Sequence, residues 1–147
     1  MFSKACEYGI KAALYIATQS LQGARVNLKE IAREINSPEA FTAKILQQMA
    51  RNGIVDSVKG PYGGFQITSE RISVIKLSEI VSAIDGDAIY RGCALGLEQC
   101  NAEKPCPLHD KFVSIRTELR RMLEGTTLYE LANGLEIGLT FLKRNEA

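Results

Sequence analysis

No run of apolar residues in this 147-residue chain approaches the roughly 18 needed to cross a bilayer, so a membrane span is not expected. The opening stretch MFSKACEYGI has no signal-peptide hydrophobic region, and a cytoplasmic location, where thiols stay reduced, is expected. Charge of one sign is also scarce. Eighteen Lys/Arg face 17 Asp/Glu, a net of +1, which by itself does not announce a nucleic-acid partner. The chain lacks a Gly-x-Ser-x-Gly elbow, a phosphate-binding loop and a His-Glu-x-x-His motif, so nothing points to hydrolytic catalysis or to an enzyme. It has one His and no Cys-x-x-Cys pair, and no internal repeat or low-complexity tract. What it does have is a hydrophobic content of 46%, enough for a core in one domain or two small ones.

The charge is not evenly spread. Residues 1–75 hold nine Lys/Arg and six Asp/Glu, a net of +3, whereas residues 76–147 hold nine and eleven, a net of −2. The basic half also carries the most regular pattern. Tyr8, Ala12, Tyr15 and Ile16 recur at helical spacing over 3–20, ended by Gln22–Gly23. Asn27 with Glu30 three residues on makes a capping box for a short helix bearing Leu28, Ile31, Ala32 and Ile35. Asn36 turns the chain, Ser37 is expected to cap a third helix with Pro38 in its first position, and Phe41, Ile45, Leu46 and Met49 are its expected buried face. Two strands follow, 54–58 and 65–68, joined by Lys59-Gly60-Pro61-Tyr62-Gly63-Gly64, a hairpin tip. Three helices and a hairpin in this order form a winged helix-turn-helix pattern.

A fourth helix carries Leu77, Ile80, Val81 and Ile84 and stops at Asp85–Gly86. A longer one runs from about Pro107 to Glu124. Its residues Leu108, Phe112, Ile115, Leu119 and Met122 step by four, three, four, three, an a/d seam that suits a dimerisation helix and equally a core-facing one. A final helix, capped by Thr127 with Glu130, carries Leu128, Leu131, Leu135, Leu139 and Leu142. The expected fold is therefore mainly α with a small β-wing. It divides into a DNA-binding unit over 1–75, a connecting helix and cysteine-rich loop over 76–106, and a dimerisation helix with a C-terminal helix over 107–147.

On a helical wheel of the third helix, Ala40, Ala43, Lys44, Gln47 and Arg51 lie opposite the apolar face, with Ser37 and Glu39 in the first turn. In a helix-turn-helix the N-terminal part of this helix enters the major groove. Alanines permit close approach and contact thymine methyls, Gln47 can read adenine, Lys44 can read guanine, and Arg51 suits a phosphate. The Ser37 hydroxyl and the helix N-terminus suit a backbone phosphate. Lys59 and Tyr62 on the wing tip suit an adjacent minor groove.

Between the two halves lies GCALGLEQCNAEKPCPLHD, in which Cys93, Cys100, Cys106 and His109 fall within seventeen residues. Four cysteines in a reducing compartment favour metal binding or redox chemistry over disulfides. Three soft thiolates and an imidazole suit an iron–sulfur cluster or zinc. Zinc usually pairs ligands two to four residues apart, which this spacing does not do, and a metal-free thiol site is the third reading. Cys6 reads as a small buried residue of the first helix.

These motifs carry a resemblance. The segment KACEYGIKAALYIA, the wing KGPYGGFQI after NGIVDSV, the helix SEIVSAIDG and the three cysteines followed by a helix resemble the winged-helix regulators typified by the iron–sulfur cluster regulator IscR and the nitric-oxide sensor NsrR. The resemblance spans almost the whole chain. It implies a homodimer that reads a palindromic operator in double-stranded DNA, and a cluster held by Cys93, Cys100 and Cys106. The expected cluster is two-iron two-sulfur, with a four-iron four-sulfur cluster as the alternative. It also implies a fourth ligand, either His109, as in IscR-like members, or Glu7 of the partner subunit, as in NsrR-like members. The chain departs from the family in two places. Six residues separate Cys93 from Cys100 where five are usual, and Ala43 stands where IscR-like members have an acidic specificity residue, so a different operator is implied. Two rivals are kept: a cluster-free regulator of the same fold, answering to a metabolite, thiol oxidation or a protein partner, and an electron carrier or redox enzyme.

Overall fold

In the computed structural model, residues 1–93, 95–98 and 101–143 are described. The first helix, α1 (Lys4–Leu21), is the centre of the molecule. Its start is fixed by Ser3, whose hydroxyl accepts from the Cys6 N–H (3.0 Å) and also meets the Asp85 carboxylate. Most of its buried positions carry small residues, Cys6, Gly9, Ala12, Ala13, Ala17 and Thr18, so neighbouring helices approach closely on several sides.

Two short helices then make the helix-turn-helix. Asn27 caps α2 (Leu28–Glu34) through the Glu30 N–H at 2.9 Å, and Asn36 makes the turn with a positive φ of 54°. The third helix, α3, runs Glu39–Arg51. Its expected cap is not the one used. Pro38 takes the N-cap position, and the Ser37 hydroxyl bonds instead to the Thr42 hydroxyl, which also donates to the Pro38 carbonyl at 2.7 Å. Thr42 is fully buried and, with Ile45, Leu46 and Met49, makes the inward face. Phe41 lies at its edge, only half buried, with its ring edge-on to Tyr8 at 5.6 Å.

The wing is a two-stranded antiparallel hairpin, β1 (Asp56–Val58) and β2 (Gly64–Gln66), paired Asp56 to Gln66 and Val58 to Gly64. It is shorter than expected because Ile54, Val55 and Ile67 turn into the core before and after it. Val26 bonds to Phe65 through both backbone groups, extending the sheet on its other edge. Two glycines are required here. A Cβ at Gly63 would sit 2.1 Å from the Val58 carbonyl oxygen, and Gly64, at φ 139°, lies against the Val26 carbonyl.

Two helices escape the periodicity of the sequence. Thr68 caps α4 (Ser69–Val74), which buries Ile72, and α6 (Ala88–Arg91) is one turn before the cysteine loop. Between them α5 (Leu77–Asp85) packs on α1 and ends at Gly86, φ 72°. The long helix α7 (His109–Gly125) leads to α8 (Leu128–Glu136), capped by Thr127. The apolar stripe expected beyond Leu135 does not continue: α8 stops at Ile137–Gly138, and Leu139 lies outside it, exposed.

The C-terminal helices share the N-terminal core. Leu77 N–H donates to Thr126 O and Leu128 N–H to Ile75 O, both at 2.9 Å, stapling the α7–α8 turn to the α4–α5 turn. Leu123, Leu128 and Ala132 are buried in one cluster with Ile16, Ile45, Met49 and Ile80. The expected division at 75/76 and 106/107 is thus a proposal about roles, laid over a continuous core. No described helix is long and apolar enough to cross a membrane.

Candidate nucleic-acid interface and metal centre

One side of the molecule presents α3 and the wing together. Ala40, Lys44, Gln47 and Arg51 are exposed on α3, Ala43 is half exposed, and Glu39 is exposed in the first turn. Ala43, Gln47 and Arg51 line a groove whose other wall is Leu28, Ser57 and Phe65. The recognition helix and the root of the wing therefore form a single surface. Ser37 is half buried with its hydroxyl engaged by Thr42, so of the residues assigned to this face it is the one turned inward. At the tip, Lys59 is exposed and Tyr62 is 89% exposed. Among the described residues no ion pair engages Lys44, Arg51 or Lys59, which leaves their charges available to phosphates.

Arg25 holds the wing from outside the hairpin and was not among the residues expected at this interface. Its Nε donates to Gln66 Oε1 at 2.9 Å, and its Nη1 donates to the Tyr62 carbonyl at 3.3 Å. It precedes the helix-turn-helix in sequence, and its tie to the hairpin, through the Val26–Phe65 pair, joins residues some forty positions apart. Nothing local in the sequence announces such a contact.

The second site is the cysteine loop. Cys93 and Cys106 are free, half-buried thiols that hydrogen bond to each other. The backbone groups of Leu95 and Leu97 bond to the Cys93 sulfur and hold its pKa below the ordinary thiol value, with Cys106 and Gly96 adding to the effect. The Cys106 carbonyl accepts from the His109 N–H at 3.0 Å, which sets His109 as the first residue of α7, half buried. Cys100 lies outside the described residues. Glu7 is half buried on the first turn of α1. Among the described residues no three His, Cys, Asp or Glu side chains gather at metal-binding distance.

Cys6 is different in kind. It is 0% exposed, and burial, helped by Asp85, pushes its thiol up to about 12. It is a packing residue.

The loop is tied to α7. Arg116 Nη1 donates to the Gly92 carbonyl at 3.0 Å, one residue before Cys93, and the Arg120 guanidinium stacks over the Tyr90 ring at 4.9 Å. On α7 itself the expected seam divides. Leu119 turns inward beside the buried Leu123, while Ile115 and Met122 are 53% and 45% exposed.

A mostly helical chain with a two-stranded wing and an exposed, cationic recognition helix is a winged helix-turn-helix DNA-binding protein. Comparison with known proteins makes the class specific. The chain belongs to the Rrf2 family, described as iron-dependent transcriptional regulators, whose family model matches residues 2–134. It is therefore a transcriptional regulator and not an enzyme. A protein of Aquifex aeolicus is 32% identical over 138 residues, covering 90% of this chain and 92% of its own. The transcriptional regulator IscR of Klebsiella pneumoniae is 29% identical over 130 residues, covering 88% of this chain and 78% of its own. Among solved structures, that of CymR, the global cysteine regulator of B. subtilis, superposes with a TM-score of 0.74 at 22% identity. The match covers 90% of this chain and 96% of that one, and it shares the fold.

Proposed function

We propose that the protein is a homodimeric regulator that reads a palindromic operator with α3 and the wing. In this reading its operator affinity is set by an iron–sulfur cluster held by Cys93, Cys100 and Cys106, with His109 or Glu7 of the partner subunit as fourth ligand. The observation that carries it is a loop anchored to α7 by Arg116 that carries the half-buried Cys93 and Cys106, with the Cys93 thiol held below its ordinary pKa by the backbone groups of Leu95 and Leu97 and by Cys106. That donor set, soft and anion-stabilising, fits a thiolate-ligated cluster. When bound, the cluster would supply a centre sensitive to oxygen, nitric oxide or iron supply. The residues of the chain transmit its state: Arg116 grips the Gly92 carbonyl, so a shift of Cys93 is felt on α7, and α7 carries the exposed Ile115 and Met122 suited to a dimer contact. Two half-sites one helical turn apart tolerate little change in the separation of the recognition helices.

The test is purification without oxygen, followed by iron and sulfide analysis, a visible spectrum and a mobility shift on genomic fragments. Bound iron and visible absorption are expected, both lost in Cys93→Ala and Cys106→Ala, together with a change in operator affinity of tenfold or more. Loss of the spectrum in His109→Ala with Glu7→Ala unaffected assigns the fourth ligand to His109, and the converse assigns it to Glu7. A colourless, iron-free protein whose DNA binding ignores Cys93→Ala overturns the reading. The Cys93–Cys106 contact favours one rival, a cluster-free regulator in which an oxidant such as hydrogen peroxide takes two electrons and two protons from these thiols to form a disulfide. In that case peroxide, and not iron, changes the shift.

A further inference from the structure

The wing of this protein has a brace that its own hairpin does not supply. Between β1 and β2 the tip spans Lys59 to Gly63, and it is closed by a single backbone bond, Gly63 N–H to Gly60 O, at 2.9 Å. Three-residue strands give such a hairpin little rigidity of its own. Yet the tip is where Lys59 and Tyr62 are offered. Arg25 reaches it from outside the hairpin. Its guanidinium bonds to the Gln66 side chain on β2 with Nε and to the Tyr62 carbonyl at the tip with Nη1. The backbone beneath is fixed by the double Val26–Phe65 bond. The guanidinium is a planar fork, so two bonds in fixed relative directions set the angle of the tip to the strands as well as its distance. A lysine at this position has the charge but not the fork.

We propose that Arg25 is the positioning residue of the wing, fixing the tip so that Lys59 and Tyr62 meet the groove flanking the half-site read by α3. This rests on the DNA-binding reading above. It assigns specificity at the flank of the operator to a residue that precedes the helix-turn-helix and acts through the Tyr62 carbonyl. Arg25 is exposed, so its loss leaves the core intact.

Two measurements test it. The first needs no DNA. The chain has no tryptophan, so Tyr62→Trp places a unique fluorophore at the tip while keeping the backbone carbonyl that Arg25 holds. Time-resolved anisotropy should show the tip gaining fast local motion on adding Arg25→Ala or Gln66→Leu, with the melting temperature unchanged. A tip equally immobile in all three backgrounds overturns the brace, whatever the DNA result. The second uses a duplex recovered by selection from random-sequence DNA, footprinted with hydroxyl radical at equal occupancy. Arg25→Ala, Arg25→Lys and Gln66→Leu should each lose protection at the flanks while keeping it over the α3 half-sites, with affinity lower by roughly tenfold. Gln66→Leu is decisive, because it keeps the Arg25 charge and removes only the acceptor. If Arg25→Ala loses the flank and Gln66→Leu does not, Arg25 is a plain phosphate contact and the positioning role is overturned. If no duplex is selected by the unaltered protein, the DNA-binding reading fails, and the anisotropy result still decides the brace.

Discussion

At the scale of single residues, the chain holds thiols in two unlike environments. Cys6 is sealed in the core, whereas Cys93 and Cys106 are half exposed in the loop. Brief alkylation of the native, metal-free protein at neutral pH should label Cys93 and Cys106 and leave Cys6 unmodified, as read by peptide mass mapping; labelling of Cys6 should require denaturant. Tyr15 gives a pH prediction. Burial, then Glu30 and Glu34 of α2, pushes its hydroxyl up to about 12 from 10.0. Between these values the unfolded chain gives up a proton that the folded chain keeps. The stability from this site is whole below pH 10 and is lost as pH rises toward 12. Urea midpoints measured from pH 9 to 11.5 should fall less steeply in Tyr15→Phe than in the unaltered protein. Residue type, spacing and the family resemblance marked Cys93, Cys100, Cys106 and His109 as candidate ligands, which only metal analysis can test. The sequence did not show that Thr42 would be fully buried, because a hydroxyl looks like a surface group until its partners, Ser37 and the Pro38 carbonyl, are known.

Elements were legible where they carry their own caps and periodicity. Helices α2 and α8 start at the residues their capping boxes indicate, and α1 and α5 lie within a residue or two of where their apolar spacing and C-terminal stops placed them. Helices α4 and α6 were not legible, since six and four residues give too little periodicity to register. The long helix α7 was read as one stripe and has two. Counting in steps of four and three from Leu108 arrives at Met122, one residue short of Leu123, which is the position that is 0% exposed. The two stripes predict opposite phenotypes. Leu123→Ala should cost about 2–5 kcal/mol in chemical denaturation, as expected for a leucine deleted from a tight core. Ile115→Glu should leave the secondary structure and melting of the fold in place but shift sedimentation from dimer to monomer. A dimer that survives Ile115→Glu and Met122→Glu together rules out this face as the contact.

For the whole molecule, the relevant quantity is the arrangement of charge. A net of +1 hides a basic half, and within that half the cations of α3 and of the wing stand on one surface without carboxylate partners among the described residues. Operator binding should weaken steeply with salt. Lys59→Gln should flatten the log–log slope by about 0.9 for each phosphate contact it removes, hence by about two in a dimer. An unchanged slope places Lys59 away from the backbone. The fold itself was legible at this scale because helix, turn, helix and wing follow one another locally. The joining of the two ends of the chain was not, because the staple between the α4–α5 and α7–α8 turns links residues about fifty positions apart.

The same anchoring bears on the length of the cysteine loop. Its two ends are already held together, by Arg116 on the Gly92 carbonyl at one side and by the Cys93–Cys106 contact across its mouth. Ring closure, the largest entropic cost of gathering ligands from a long segment, is therefore met by the packing of α6 on α7. What remains is the cost of ring size, which grows only with the logarithm of length. Lengthening a closed segment of eleven residues to twelve changes that cost by less than about 0.1 kcal/mol. The sixth residue between Cys93 and Cys100 is thus close to neutral as chain entropy. Any effect it has on ligation must come from where it directs the side chains, which is why metal content, and not stability, is the measurement that reports on it.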